Sequence, residues 1–194
     1  MTHSKMIKIA CVVIFMIAGI IWGINFYSIN KRLPNAKIFE YSKNNPAVAD
    51  GLEITPLEKT IYSVDEYKKE FPEDNSYSYL TDEKKEHYLI IVFKVKFKNT
   101  TQEVLKFEAD SFIIEAFPSA YHNGVLVIDG SAKRTIEPGE EQEVLLESNI
   151  NDIGLIKTKD LHKIRSNKFC LVFSYYPEKK MLLFDYIKGG ENAE

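Results

Sequence analysis

Several signatures of chemistry are missing from this chain, and each absence removes a class of function. Its 194 residues hold two cysteines, Cys11 and Cys170. The first lies in an apolar N-terminal run and the second in a strand-like run. No intrachain disulfide is expected between such different surroundings, so the fold must rest on its core. Cys170, flanked by Phe169 and Leu171, reads as an inert core thiol. The four histidines, His3, His87, His122 and His162, form no His-x-x-His or His-Glu-x-x-His, and there is no Cys-x-x-Cys. That removes the zinc spacings. Serine occurs without a Gly-x-Ser-x-Gly elbow. Glycine pairs only at Gly189-Gly190 in the tail, so there is no phosphate loop. Acids come in adjacent pairs, such as Asp65-Glu66, Glu73-Asp74, Asp82-Glu83 and Glu140-Glu141. A calcium loop needs alternating donors around a turn glycine, and Asp129-Gly130 stands outside such a pattern. No cofactor or metal is expected, and no enzymatic activity. A carboxylate pair that meets only in space would leave no linear trace.

Charge is also unevenly spread. Residues 1–39 contain no acid, only Lys5, Lys8, Lys31, Arg32 and Lys37. The remainder holds 20 basic and 28 acidic residues. A net-acidic body argues against a nucleic-acid partner, which demands a concentrated basic surface.

What the chain does have is a long apolar run. "IACVVIFMIAGIIWGINF", Ile9 to Phe26, is uncharged. As a helix it would span roughly 27 Å, close to a hydrocarbon core. Trp22 and Tyr27 near one end suit an interface. A cleaved signal would want small residues where Asn25-Phe26-Tyr27-Ser28 stands. Membrane partnership through a single-pass anchor is therefore expected. The narrow excess of positive charge before the run favours a cytoplasmic N-terminus. The expected organisation is a short cytoplasmic tail over 1–8, an anchor over 9–27, a linker over 28–46, a β domain over 47–187 and a flexible tail over 188–194.

The body is rich in rings, with 11 Tyr and 12 Phe against one Trp, which suits strands. Leu52 to Tyr62 reads as a first strand, with Pro56 marking an edge or a break. Val64, Tyr67, Lys68 and Phe71 keep helical spacing. Ser63 and Glu66 form a capping box and Pro72 ends the turn. The polar stretch on to His87 reads as a long exposed loop. From Leu89 to Lys98 the alternation is clean. Leu89, Ile91, Phe93, Val95 and Phe97 share one face, and Ile90, Val92, Lys94, Lys96 and Lys98 the other. A turn over Asn99–Glu103 follows. "VLVI", Val125 to Ile128, is the next strand. Glu137-Pro138-Gly139-Glu140 is a turn by composition. Phe169–Tyr176 and Met181–Tyr186 look like a closing hairpin. Seven or eight short strands and one minor helix predict an antiparallel β-sandwich.

"VKFKNTT", "FIIEA" and "IEPGEEQEVLLESNI" together resemble the telokin-like, immunoglobulin-fold extracellular domains of Gram-positive bacteria. The resemblance runs from Leu52 to Tyr186 and implies an immunoglobulin-like sandwich held outside the cell. The stretch Val64 to His87 departs from it as an insert. The resemblance names no activity. The expected role is an interaction module of the cell envelope with a possible envelope protein partner. Binding of a small ligand or a wall polymer is the alternative. The candidate contact residues are Tyr77 and Tyr79 in the insert and the stripe Lys94, Lys96 and Lys98. The tyrosines suit a binding surface, and with Tyr121 they could line a pocket. The stripe suits an anionic polymer or headgroup, or simply a face guarded against aggregation.

Overall fold

The computed structural model describes residues 3–32, 36–117, 121–128, 130–152, 161 and 168–186. The chain divides into two compact units, Met1–Lys37 and Ile38–Glu194. The first is essentially one helix, α1 (His3–Arg32). Within it Cys11–Ile29 is apolar enough and long enough to cross a membrane, and none of that stretch is buried. The helix runs past the apolar stretch, and strand β1 (Lys37–Tyr41) begins soon after. The stretch expected as a linker over 28–46 is thus partly helix and partly strand. Tyr41 explains why: its ring packs on the core, 6.0 Å from that of Phe173.

The second unit is a β-sandwich. Its strands in chain order are β1, β2 (Ala47–Ala49), β3 (Leu52–Tyr62), β4 (Tyr88–Asn99), β5 (Leu105–Glu108), β6 (Ile113–Phe117) and β7 (Tyr121–Gly124). Then follow β8 (Leu126–Val127), β9 (Lys133–Ile136), β10 (Glu141–Asn151), β11 (Lys168–Ser174), β12 (Glu178–Leu183) and β13 (Asp185–Tyr186). Two short helices, α2 (Val64–Glu70) and α3 (Asp82–Lys85), lie between β3 and β4. One sheet has the order β1-β12-β11-β6-β7, and the other β13-β3-β4-β10-β8 with β2 also on β3. A ribbon, β5-β9, belongs to neither.

Strands outnumber the expected seven or eight because several change sheets. The "VLVI" segment supplies only β8, which pairs with β10, while β7 just before it pairs with β6 in the other sheet. The closing hairpin divides likewise. β12 pairs with β11, and β13 crosses to run parallel to β3. Pro56 does not make β3 an outer edge. Its outer partners are two short strands, β2 over Leu52–Ile54 and β13 over Glu58–Lys59. The proline stands in the gap between them, beside a register shift at Pro56/Glu58. A residue with no backbone N–H is tolerated where no ladder bond is required of it.

The longest strands, β3, β4 and β10, form the middle of the six-stranded sheet. The inward face of β4 follows the alternation of its sequence, with Phe93, Val95 and Phe97 buried. They meet Ile114, Ala116, Phe169 and Leu171 of the opposite sheet in one continuous core. Asn99, at the end of β4, is fully buried. Its Nδ2 donates to the carbonyls of Glu103 (2.7 Å) and Ile136 (3.1 Å), and its Oδ1 accepts from the Thr101 amide (2.9 Å) and hydroxyl (2.8 Å). Its backbone receives the amide of Gly139 and donates to the carbonyl of Glu140. The Asn turn and the Pro-Gly turn, far apart in the chain, are thus one clamp. Gly139 takes φ 76°, the left-handed value that a type II turn requires. A second turn, Asp50-Gly51, joins β2 to β3 with φ of 51° and 79°. A Cβ at Gly51 would stand 2.2 Å from Thr101 Cγ2.

Candidate functional site

The outer face of the six-stranded sheet carries the insert. Ser63 begins α2 with the expected capping box: its hydroxyl accepts from the Glu66 amide, and Glu66 Oε2 accepts from the Ser63 amide at 2.6 Å. This fixes the helix so that Val64 and Tyr67 face the sheet. There they meet Ile90 and Val92 of β4, with Tyr77 and Leu80 closing over them. The insert is therefore not the exposed loop its polarity suggested. Tyr77 is only 4% exposed, and its ring lies 5.4 Å from that of Tyr67 in an edge arrangement. Burial of an aromatic outweighs the polarity of its neighbours, because each ring removes a large apolar area from water. Tyr79, by contrast, is 68% exposed.

Beneath the insert sits a polar cluster without a sequence signal. Tyr67 is completely buried, and its hydroxyl donates to Asp74 Oδ2 at 2.7 Å. Asp74 also accepts from the Ser76 amide at 2.7 Å. Burial pushes the Asp74 carboxyl up, but the bonds from Ser76 and Tyr67 outweigh it and hold the group below its ordinary value. Glu147 of β10 is buried against the same tyrosines, and its Oε2 has no hydrogen-bond partner. Desolvation raises its affinity for a proton. Glu147 stands opposite Val92, on the side of the sheet away from the inter-sheet core. Only the insert covering that face turns it into an interior acid.

Beside this cluster a groove of about 380 Å³ opens along the sheet. Tyr62, Phe71 and Val92 contribute apolar walls, and Glu58, Glu70 and Lys94 contribute charge. The lysine stripe lies next to it and is answered in the neighbouring strand. Lys94 pairs with Glu143 at 2.7 Å, and Lys96 and Lys98 both reach Glu141 at 3.1 Å. The register of β10 against β4 sets this ladder, with Glu143 opposite Lys96 and Glu141 opposite Lys98. Hydrogen bonds from both lysines hold Glu141 below the usual carboxylate range. Each lysine of the stripe is thus paired, and the stripe is not a bare cationic surface. Tyr121 stands apart from Tyr77: it packs in the inter-sheet core and its hydroxyl donates to the Asn149 carbonyl at 2.7 Å.

The outer face of the five-stranded sheet holds a second cluster. Glu115 of β6 is buried between Lys179 of β12 and His122 of β7. Burial pushes Glu115 up, but Lys179 and His122 more than offset it, and its carboxyl stays below its ordinary value. Cys170 is buried alongside with Val172 and Met181, and burial pushes its thiol up to about 12. A thiol so hard to ionise is a poor nucleophile. His87 pairs with Asp152 at 2.6 Å, which raises its proton affinity. His162, Asp129 and the tail over 188–194 lie outside the described residues. Among the described residues, no group of three His, Cys, Asp or Glu side chains is placed to share a metal ion.

No protein-family model matches the chain, and neither does any curated protein sequence. Three solved structures are similar to it at a distance. One is an uncharacterised β-sandwich protein from Clostridium difficile, 18% identical, with a TM-score of 0.42 over 77% of this chain and 96% of that one. Another is the YjhA protein of Bacillus subtilis, 12% identical, with a TM-score of 0.41 over 75% and 99%. The third is a conserved hypothetical protein of Bacillus anthracis, 15% identical, with a TM-score of 0.39 over 72% and 94%.

Proposed function

We propose that this chain is a single-pass, membrane-anchored module of a bacterial cell envelope. Its immunoglobulin-like sandwich stands outside the cytoplasm, binds a partner protein and performs no catalysis. The observation that carries the reading is the uncharged stretch Cys11–Ile29, none of which is buried. Large apolar side chains gain about 1.5–3 kcal/mol each on leaving water. A span of 19 residues in which most side chains are of this kind calls for hydrocarbon around it. The partner surface in this reading is the outer face of the insert, where Tyr79 is exposed.

The test places a photo-crosslinking amino acid at position 79 of the full-length chain in intact cells. Deleting the whole insert would be the wrong control, because it would uncover Ile90 and Val92. A better control keeps the sandwich intact and carries the crosslinker at Lys180, on the other sheet. One discrete adduct at 79, absent at 180, with the sandwich cleaved by protease added outside, is the expected result. A sandwich protected from that protease would refute the topology, and equal adducts at both positions would refute the surface. Binding of a small ligand is a second reading, favoured by a cleft beside the β5-β9 ribbon.

A further inference from the structure

We propose that the groove between α2 and the six-stranded sheet binds a small organic cation, a free alkylamine whose hydrocarbon part lies on the groove's apolar floor. This deepens the small-ligand reading and rests on that reading alone. It places the site on the outer face of the sheet and not at the β5-β9 ribbon. The groove, of about 380 Å³, falls within the usual range of small-molecule sites. Strand alternation builds it. Glu58, Thr60 and Tyr62 of β3 turn to one face, and the register sets Glu58 beside Lys94 and Thr60 beside Val92. Lys94 in turn stands beside Leu145 of β10. Glu70, the last residue of α2, and Phe71 after it close the other side.

The charge of the lining is one-sided. Among the described lining residues three are glutamates, Glu58, Glu70 and Glu143, and one is a cation, Lys94. The Lys94 ammonium is bonded to Glu143 at 2.7 Å and also feels the charge of Glu58. One ammonium does not balance three carboxylates, and among the described residues Glu70 makes no ion pair. The rings add a second preference. Tyr62 and Phe71 stand 6.0 Å apart at 84° and form a corner. Aromatic walls beside carboxylates hold organic ammonium ions. Burial raises the proton affinity of the Tyr62 phenol, and the charges of Glu70 and Glu58 raise it further, so both carboxylates reach this corner. Beyond Leu145 the next residue of β10 on this face is Glu147, opposite Val92, and its Oε2 has no hydrogen-bond partner. A cation seated over Val92 would stand next to that acid and favour its ionised form. A metal ion is the poorer fit. Among the described residues no three acids are placed to share one, and Val92 and Leu145 offer it no oxygen. An alkylammonium uses both the charge and the apolar floor.

The experiment uses the full-length chain in nanodiscs of neutral lipid, with 3-fluorotyrosine at its 11 Tyr positions. Single Tyr→Phe substitutions assign the resonances. The probe is 1,5-diaminopentane, and the control is 1,5-pentanediol, of the same length without charge. The expected result is a saturable displacement of the Tyr62 resonance by the diamine, with the diol bound about tenfold more weakly. Glu58→Gln with Glu70→Gln should weaken the diamine by about tenfold, while the Tyr121 resonance in the inter-sheet core keeps its position. No saturable displacement of Tyr62 up to about 10 mM diamine would overturn the proposal, as would equal binding of the diol or undiminished binding by the double variant. An equal response to calcium chloride would mean a screened acidic patch only, and would also overturn it. Tighter binding of Nα-acetyl-lysine methylamide than of the diamine would assign the groove to a lysine of a partner chain and overturn the free amine. Displacement of other tyrosines with Tyr62 unmoved would overturn this groove and leave the small-ligand reading standing elsewhere on the sandwich.

Discussion

The two sides of the six-stranded sheet bury polar side chains in opposite ways. On the inner side, Asn99 is enclosed with four side-chain hydrogen bonds satisfied. On the outer side, Glu147 is enclosed under the insert with one oxygen unpartnered. A satisfied buried amide welds the structure around it. An unsatisfied buried acid costs stability at the place where it sits. The difference teaches that the inner side is built to hold the sandwich together and that the insert is held less firmly.

The strongest way to break the comparison is Phe93→Asp. Phe93 is fully buried in the inter-sheet core. An unpaired charge there should cost more than about 4 kcal/mol and abolish cooperative unfolding of the domain. A folded Phe93→Asp protein, seen as native tyrosine near-ultraviolet circular dichroism, would mean that the faces of β4 are reversed. Next comes Asn99→Ala, which removes the partner of the Ile136 carbonyl and of the Thr101 amide and one of the two donors to the Glu103 carbonyl. A loss of about 3 kcal/mol in urea denaturation is expected. A loss under about 1 kcal/mol would show that the two turns hold without their clamp.

Tyr67→Phe tests the outer side more gently. It keeps the ring and removes the donor to Asp74, for an expected cost of about 1–2 kcal/mol. Hydrogen exchange should quicken first in the amides of Tyr67 and Leu80, with those of β4 and β10 little changed. Uniform quickening across both sheets would make insert and sandwich one cooperative unit. The smallest effect has the opposite sign. Glu147 ionises with an ordinary value of 4.5 when unfolded and a raised value when folded. Its proton-linked stability is therefore fully present below pH 4.5 and is lost as pH rises through the folded value. Glu147→Gln should be more stable than the wild type by about 1 kcal/mol at pH 7.5, and the gain should vanish at pH 4. Urea midpoints at the two pH values read it directly. A destabilised Gln variant at pH 7.5 would show that the ionised acid is well solvated and not trapped.

Much of the sandwich was legible from local pattern. The alternation from Leu89 to Lys98 assigns every face of β4 correctly, because a strand exposes a period of two whatever it pairs with. Ser63 and Glu66 announce the start of α2 for the same local reason. The Asp50-Gly51 turn, a strong hairpin signal, went unread although its two residues are the ones a primed turn favours. The candidate contact residues were less legible. Tyr79 is exposed as expected of a surface ring, but Tyr77, two residues before it, is buried in the satellite core. No property of the loop's composition separates the two. Lys94, Lys96 and Lys98 read as a cationic stripe only until β10 brings Glu141 and Glu143 beside them.

By itself the sequence determined the apolar span, the alternating strands, the helix cap and the Pro-Gly turn, since each is decided by residues within a few positions of one another. Only the tertiary structure decided that the Asn and Pro-Gly turns form one clamp and that Glu147 is an interior acid. It alone decided that every lysine of the stripe meets a glutamate. Those are contacts between residues dozens of positions apart. A local pattern says which way a side chain points, and only the packed chain says what it meets there.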